Sequence, residues 1–408
     1  MAATLQDSSS SHTWPQKDAA TGSQPPVKGD QMEPPHIVQA RRLIGRPGSR
    51  HALATPALLL DLDAFEENIT RMATRCRNAG VALRPHAKSH KCGFIARAQI
   101  AAGAAGLCCA KLGEAEALFA AGVDDFLLTS PLAGEDAAQR AARLAAAGAR
   151  LAVTVDHPVM VDMLAGAAVS AGVTFPVLID VDIGLRRSGV AAPQDGVALA
   201  ARIAKSAGLR LAGVQAYGGA WQHLEGAQNR FDAAAVGAAR LKGVLDALEH
   251  AGVRPDWITG GGTGSCSADI AQGLYTELQC GSYALMDRQY RDALKADPDG
   301  DFRQSLIVQA RIVSANAGTF VTIDAGLKAL ASDAGPPSVL GPNPNAVYFF
   351  FGDEHGGLAG GGAFEIGARV ELAPPHCDPT VDRYDWLHLV RGDVLEDVVA
   401  IEARGRSQ

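Results

Sequence analysis

From Thr55 onward the chain alternates eight times between a short apolar run and an alanine-rich stretch of helical texture, and nothing else in it restricts the fold as strongly. The runs are PALLLDLDA (56–64), VALRPH (81–86), GLCCA (106–110), DFLLTS (125–130), LAVTVD (151–156), PVLIDVD (176–182), LAGVQAY (211–217) and DWITGGG (256–262). The stretches between them stop at Gly122, Gly148, Gly172, Gly208 and Gly252, as helices do where a left-handed residue ends them. The first runs from Ala64 to Gly80, with Phe65, Ile69, Met72, Ala73 and Cys76 at helical spacing and Asp63 with Glu66 resembling a capping box. Strands alternating with helices build a parallel sheet, and eight such units favour a closed (β/α)8 barrel of the TIM type, with an open doubly wound sheet as the alternative.

Beyond about Gly300 the texture changes to SLIVQARIVSA, GTFVTIDAG, AVYFFFG, ARVELAP, WLHLVRG and VLEDVVAIEA, which read as strands with few long helices. The expected organisation is therefore an α/β barrel over 46–295 followed by a mainly β domain over 296–408. Residues 1–45, rich in Ser, Pro, Gln and Gly, read as a disordered or loosely docked extension, because they cannot bury enough apolar surface to offset ordering entropy. A net charge of -7 with 20% charged residues argues against a nucleic-acid or anionic-membrane binder and for a small-molecule partner. The seven cysteines show no repeated C-x-x-C spacing, which suits a reducing compartment. No apolar run reaches the roughly 20 residues of a membrane span, and the first residues lack a leader pattern, so the cytoplasm is the expected location.

In a (β/α)8 barrel the chemistry lies at the C-terminal ends of the strands. The second run ends in RPHAKSHK, with Arg84, His86, Lys88, His90 and Lys91. A solvated basic loop is one reading. The other is a lysine whose pKa is lowered by burial and cationic neighbours, freeing its amine for Schiff-base chemistry. The sixth ends in DVDIGLRRSGV, whose Arg186 or Arg187 could fork onto a carboxylate or phosphate, or form a surface ion pair. The seventh ends in QAYGGAWQHLEG, with Gln215, Tyr217 and His223. The eighth ends in TGGGTGS, whose glycines expose backbone N–H groups where this fold commonly binds phosphate, and ELQCGSYALMD is a second candidate. An amine, a phosphate cradle and an anion-binding arginine at one barrel mouth imply pyridoxal phosphate.

These motifs resemble the fold-type III pyridoxal-phosphate enzymes, the alanine-racemase-like barrels. Within them the pattern is most similar to the D-threonine aldolase, 3-hydroxy-D-aspartate aldolase and D-serine dehydratase family. TPALLLDLDAFEENI, RPHAKSHK, the run Asp182–Val190, QAYGGAWQH, GGGTGS, ELQCGSYALMD, IDAGLKAL, DEHG and HCDPT carry the resemblance from about Thr55 to the C-terminus. It implies Lys88 as the cofactor-bearing lysine, with Arg187 and Tyr217 lining the pocket. Gly261, Gly262, Thr263, Gly281 and Ser282 would hold the phosphate, and Gln279 would lie near the pyridine nitrogen. Asp324 and the Glu354–His355 pair fall in family motifs without an assigned role. A homodimer is also implied.

The resemblance further implies a divalent metal beside the cofactor, bound by a histidine and a residue two positions on. PPHCDPTVD (374–382) offers His376, Cys377 and Asp378, although such a cluster also reads as a polar turn. In an extended segment i and i+2 share a side, so His376 and Asp378 are the expected ligands and Cys377 the spacer. The dehydratase branch resembles H-x-Cys, suited to zinc, whereas imidazole with carboxylate suits manganese or magnesium. The implied activity is retro-aldol cleavage of a D-3-hydroxy amino acid, of the D-threonine or 3-hydroxy-D-aspartate type, to glycine and an aldehyde, with His223 as base. D-serine or D-threo-3-hydroxyaspartate dehydration is the alternative, with an amino-acid racemase and a non-catalytic cofactor-binding protein as further rivals.

Overall fold

The structure, a computed structural model, describes residues 33–408 apart from 296, 298, 299 and 363. The chain begins its sheets with β1 (Ala57–Asp61), β2 (Ala82–Leu83), β3 (Leu107–Cys109), β4 (Asp125–Leu128), β5 (Arg150–Val155), β6 (Phe175–Asp180), β7 (Leu209–Ala216), β8 (Trp257–Gly260) and β9 (Glu277–Leu278). Strands β2 to β9 form an eight-stranded parallel sheet in the order β2-β9-β8-β7-β6-β5-β4-β3. A parallel bridge between His86 and Cys108 joins its two ends, with Cys108 N–H donating to the Pro85 carbonyl at 2.8 Å. The expected barrel is therefore present and closed.

Its strand inventory differs from the expectation at one place. The run at 56–64 is not a barrel strand: β1 pairs antiparallel with β10 (Leu306–Ser314) and parallel with β16 (Trp386–Arg391), at the centre of the second sheet. The eighth barrel strand is instead β9, inside ELQCGSYALMD. The reason is physical. Leu58 and Leu60 pack into the main core while Ala57 and Leu59 pack into a second cluster with Ile37, Leu53 and Leu395. A strand buried on both faces has the same continuous apolar texture as a parallel barrel strand. A two-residue strand carrying a glutamate has no such texture to read.

The second sheet has nine strands: β1, β10, β11 (Phe320–Ile323), β12 (Ser338–Leu340), β13 (Val347–Phe350), β14 (Gly356–Ala359), β15 (Arg369–Ala373), β16 and β17 (Val394–Ala400). β12 and β14 have no counterpart among the expected runs. β14 is glycine-rich because aromatic side chains of β13 press against it: a Cβ on Gly357 would meet the Phe349 ring at 2.1 Å, and one on Gly356 the Tyr348 ring at 2.3 Å. The interval 46–295 thus contributes the central strand of the β domain.

The first helix spans Leu62–Asn78, and its cap is the Asp61 carboxylate accepting from Ala64 N–H at 3.0 Å. The expected Asp63–Glu66 capping box does not form; both residues pair instead with Arg391. Gly80, Gly122, Gly148, Gly172, Gly208 and Gly252 all take positive φ, as the expected helix stops require. Most of the extension at 1–45 lies outside the described residues; within it Pro35–Arg41 is a helix whose Ile37 and Ala40 are buried against the β domain. Among the described residues no helix is long and apolar enough to cross a membrane.

Candidate active site

The segment after β2 turns sharply at Ala87–Ser89, and this turn carries Lys88 to the barrel mouth. His86 caps it, with Nδ1 accepting from Lys88 N–H at 3.4 Å, while Nε2 meets Thr129 Oγ1 at 3.0 Å. Burial, reinforced by the Lys88 charge, pushes the His86 imidazole down to about 3, so it is neutral. The other basic residues of the motif face away from the cavity. Arg84 pairs inside the barrel with Glu277 at 3.0 Å, and Lys91 pairs with Asp382 at 2.7 Å.

Lys88 Nζ donates to Asp378 Oδ2, joining the barrel mouth to the β domain. The lysine side chain is 39% exposed and the aspartate 16%. Burial pulls the lysine down, but the Asp378 carboxylate outweighs it and holds Lys88 above the ordinary lysine range. The expected depressed lysine is therefore not found: the neighbour that decides its charge is an anion, not the cationic run around it. For Asp378, burial acts upward, yet Lys88 and His376 hold it below the ordinary carboxylate range.

Nine residues named from the sequence, Lys88, Arg187, Tyr217, Gly261, Gly262, Thr263, Gln279, Gly281 and Ser282, line one cavity together with His86, Thr129, Gln215 and Tyr290. Arg187 stacks over the Tyr217 ring, 5.6 Å from its centroid. The floor is built for close approach. Gly261 has φ +71°, a Cβ on Gly262 would meet Gln222 Oε1 at 2.3 Å, and one on Gly281 would meet the His86 carbonyl at 2.8 Å. Gln222, which sequence reading missed, braces this floor by accepting from Gly264 N–H at 3.0 Å and donating to Ser265 Oγ at 2.7 Å. Gln279 donates to Gln215 Oε1 and Thr259 Oγ1, each at 3.2 Å. A glycine cradle, the Arg187 guanidinium over Tyr217 and a reachable amine fit the phosphate and aldehyde of pyridoxal phosphate.

His223 follows the turn Gly219–Trp221 and packs against Tyr290, with ring centroids 4.3 Å apart and the planes tilted by 50°. Buried Arg230 donates to the Leu224 and Ala293 carbonyls, tying this loop to the helix Arg288–Ala293 that carries Tyr290. His223 Nε2 is buried without a hydrogen-bond partner among the described residues. Burial, then the His376 and Lys88 charges, lower its pKa to about 4, so a neutral imidazole with an unused nitrogen borders the site.

PPHCDPTVD is not extended as expected. His376 has extended angles, but Cys377–Val381 is a short helix, so the i, i+2 argument does not describe the residues after it. Cys377 packs in the core with its N–H on Asp287 Oδ2 at 2.9 Å, while Asp378 reaches Lys88. Prolines stop the preceding strand, and the helix begins at once, a change of period that sequence spacing does not announce. Among the described residues no three His, Cys, Asp or Glu side chains are grouped to hold a metal. An imidazole and a carboxylate suit a divalent ion whose remaining positions go to water or substrate. Asp324 lies elsewhere, accepting from Thr55 Oγ1 at 2.5 Å, and Glu354 forms an exposed pair with Lys328 at 2.6 Å.

Residues 60–289 match the family model for the alanine racemase N-terminal domain, and 305–390 match a serine dehydratase domain. A D-threonine aldolase of Arthrobacter sp. is 39% identical over 390 residues, 95% of this chain and 100% of that protein. A 3-hydroxy-D-aspartate aldolase of Paracoccus denitrificans (strain Pd 1222) is 35% identical over 360 residues, 87% of this chain and 93% of that protein. The crystal structure of D-threonine aldolase from Filomicrobium marinum superposes with a TM-score of 0.84 at 37% identity, covering 87% of this chain and 97% of that one. Its two matched domains, its closed barrel and these relatives show that the chain belongs to the alanine-racemase-like family that includes D-threonine aldolase and 3-hydroxy-D-aspartate aldolase.

Proposed function

We propose that this chain is a pyridoxal-phosphate-dependent lyase that cleaves D-3-hydroxy amino acids, of the D-threonine or 3-hydroxy-D-aspartate type, to glycine and an aldehyde. The observation that supports the reading is the meeting of Lys88, which lines the glycine-rich cavity, with Asp378: the expected cofactor-bearing amine and an expected metal donor are hydrogen-bonded partners. When bound, pyridoxal phosphate supplies an electron sink for bond cleavage at Cα, and a divalent ion, manganese or magnesium in preference to zinc, acidifies the 3-hydroxyl. Gly261, Gly262, Thr263, Gly281 and Ser282 would hold the phosphate, and Gln279 would face the pyridine nitrogen. Arg187 and Tyr217 orient the bound molecules, and His376 with Asp378 would hold the metal. His223 takes the hydroxyl proton: it is neutral at physiological pH, and its Nε2 has no competing partner among the described residues. A homodimer in the cytoplasm completes the reading, and the solution mass checks the dimer.

Aldehyde release from D-threonine, D-3-hydroxyaspartate and D-phenylserine tests it directly. We expect glycine and aldehyde in equal amounts, loss of turnover after chelation, and recovery on adding manganese. The match of 305–390 to a serine dehydratase domain favours one second reading, dehydration on the same scaffold. Ammonia without glycine would establish that reading instead. Full turnover after chelation would remove the metal from the mechanism. For His223→Asn we expect kcat to drop by about 10²–10⁴-fold, the usual worth of a positioned general base, with the cofactor absorbance unchanged. An unchanged kcat would reassign the base.

A further inference from the structure

The cavity, the His223 loop and the Lys88–Asp378 pair are absorbed by the reading above, but one carboxylate beside them is not. Asp333 belongs to no motif in the sequence, and its Oδ2 lies 2.6 Å from His376 Nδ1. We propose that Asp333 is a positioning residue for the metal, holding His376 so that Nε2 presents its lone pair to the ion. This inference rests on His376 and Asp378 being the metal donors.

An ionised carboxylate only accepts hydrogen bonds, so Nδ1 facing it must carry the hydrogen. In the neutral ring the other nitrogen, Nε2, is then the acceptor, and it is the one left to coordinate. Metal-binding histidines commonly donate their second ring N–H to a carboxylate, which fixes the ring and raises its basicity.

The contact is also built in from behind. Thr380, fully buried, donates from Oγ1 to the His376 carbonyl at 2.7 Å and accepts from Ala331 N–H at 3.2 Å. One hydroxyl therefore pins the loop carrying Asp333 to the helix that follows His376. Arg288 adds a second tie: its backbone N–H donates to the Pro374 carbonyl at 2.9 Å, and its guanidinium donates to the Ala334 carbonyl. The two segments are thus held by buried and backbone bonds, and these bring an exposed carboxylate, Asp333, to a partly buried imidazole, His376, at the edge of the site.

The test is manganese titration of the cofactor-loaded enzyme, followed by the electron paramagnetic resonance signal of free Mn2+, for wild type, Asp333→Ala, Asp333→Asn and His376→Ala. Asp333→Ala should weaken manganese binding about 10–100-fold, the usual worth of such a partner. Asp333→Asn, which keeps a carbonyl acceptor, should weaken it less. Turnover of Asp333→Ala should return towards the wild-type kcat at saturating manganese, a recovery that a merely structural defect would not show. Wild-type affinity in Asp333→Ala, or turnover that saturating metal does not restore, would overturn the proposal. If His376→Ala also bound manganese like wild type, the metal assignment itself would fall, and the role of Asp333 with it.

Discussion

A Lys88→Ala variant should bind no cofactor covalently and should fall to the background rate, the largest loss of any single substitution in this chain. Among the described residues Lys88 is the only lysine lining the cavity. Lys91, three residues on, cannot replace it: its ammonium is 9% exposed and is committed to Asp382 at 2.7 Å and Glu114 at 3.7 Å. The cradle itself is untouched by the substitution, so the cofactor phosphate should still bind, weakly and reversibly. The measurement is the visible absorbance of lysine-bound cofactor before and after desalting, with turnover in parallel. Added methylamine should restore part of the rate if the missing group is only an amine. Absorbance that survives desalting in the variant would show that another lysine carries the cofactor.

The candidate site was legible in the sequence to the extent that it sits on strand ends. Lys88, Arg187, Tyr217 and Gly261–Thr263 follow barrel strands, and an apolar run followed by glycine or charge announces such a place. Gly281 and Ser282 are reached through the family resemblance of ELQCGSYALMD, since their strand, β9, is two residues long and has no apolar run to announce it. Two kinds of information stayed hidden. Burial on two faces makes the centre of a mixed sheet look like a barrel strand, which misplaced β1. Long-range partners have no local signature either. The distances linking Lys88 to Asp378, Gln222 to Gly264, and Asp333 to His376 span 290, 42 and 43 residues. The charge of Lys88 depends on the first of these, which is why its neighbours in sequence suggested the opposite shift.

The pair Asp378→Ala and Cys377→Ala separates two adjacent candidate donors by their geometry. Asp378 reaches the barrel mouth, and its carboxylate is held ionised, as a metal donor must be. On the proposed assignment its removal would take away one of two protein donors from an ion whose charge stabilisation is worth several kcal/mol. Each 1.4 kcal/mol is a factor of ten in rate, so turnover should fall on the order of 10²–10⁴-fold, with manganese binding lost alongside. Cys377 points into the core, and burial, with Asp287 and Asp378 beside it, keeps its thiol well above the ordinary range. A protonated thiol is a poor ligand. Its Sγ lies 3.2 Å from Asp378 Oδ1 and also meets the Ser282 and Asp287 side chains, contacts of a weak thiol donor, and its N–H bond to Asp287 survives any change of side chain. Cys377→Ala should therefore lose about 1 kcal/mol of stability through the small void left in the core, and keep both metal and turnover. Metal loss in Cys377→Ala with retention in Asp378→Ala would put a thiolate on the ion. That outcome would shift the expected metal towards zinc and the chemistry towards dehydration, because a soft donor suits zinc where a carboxylate suits manganese.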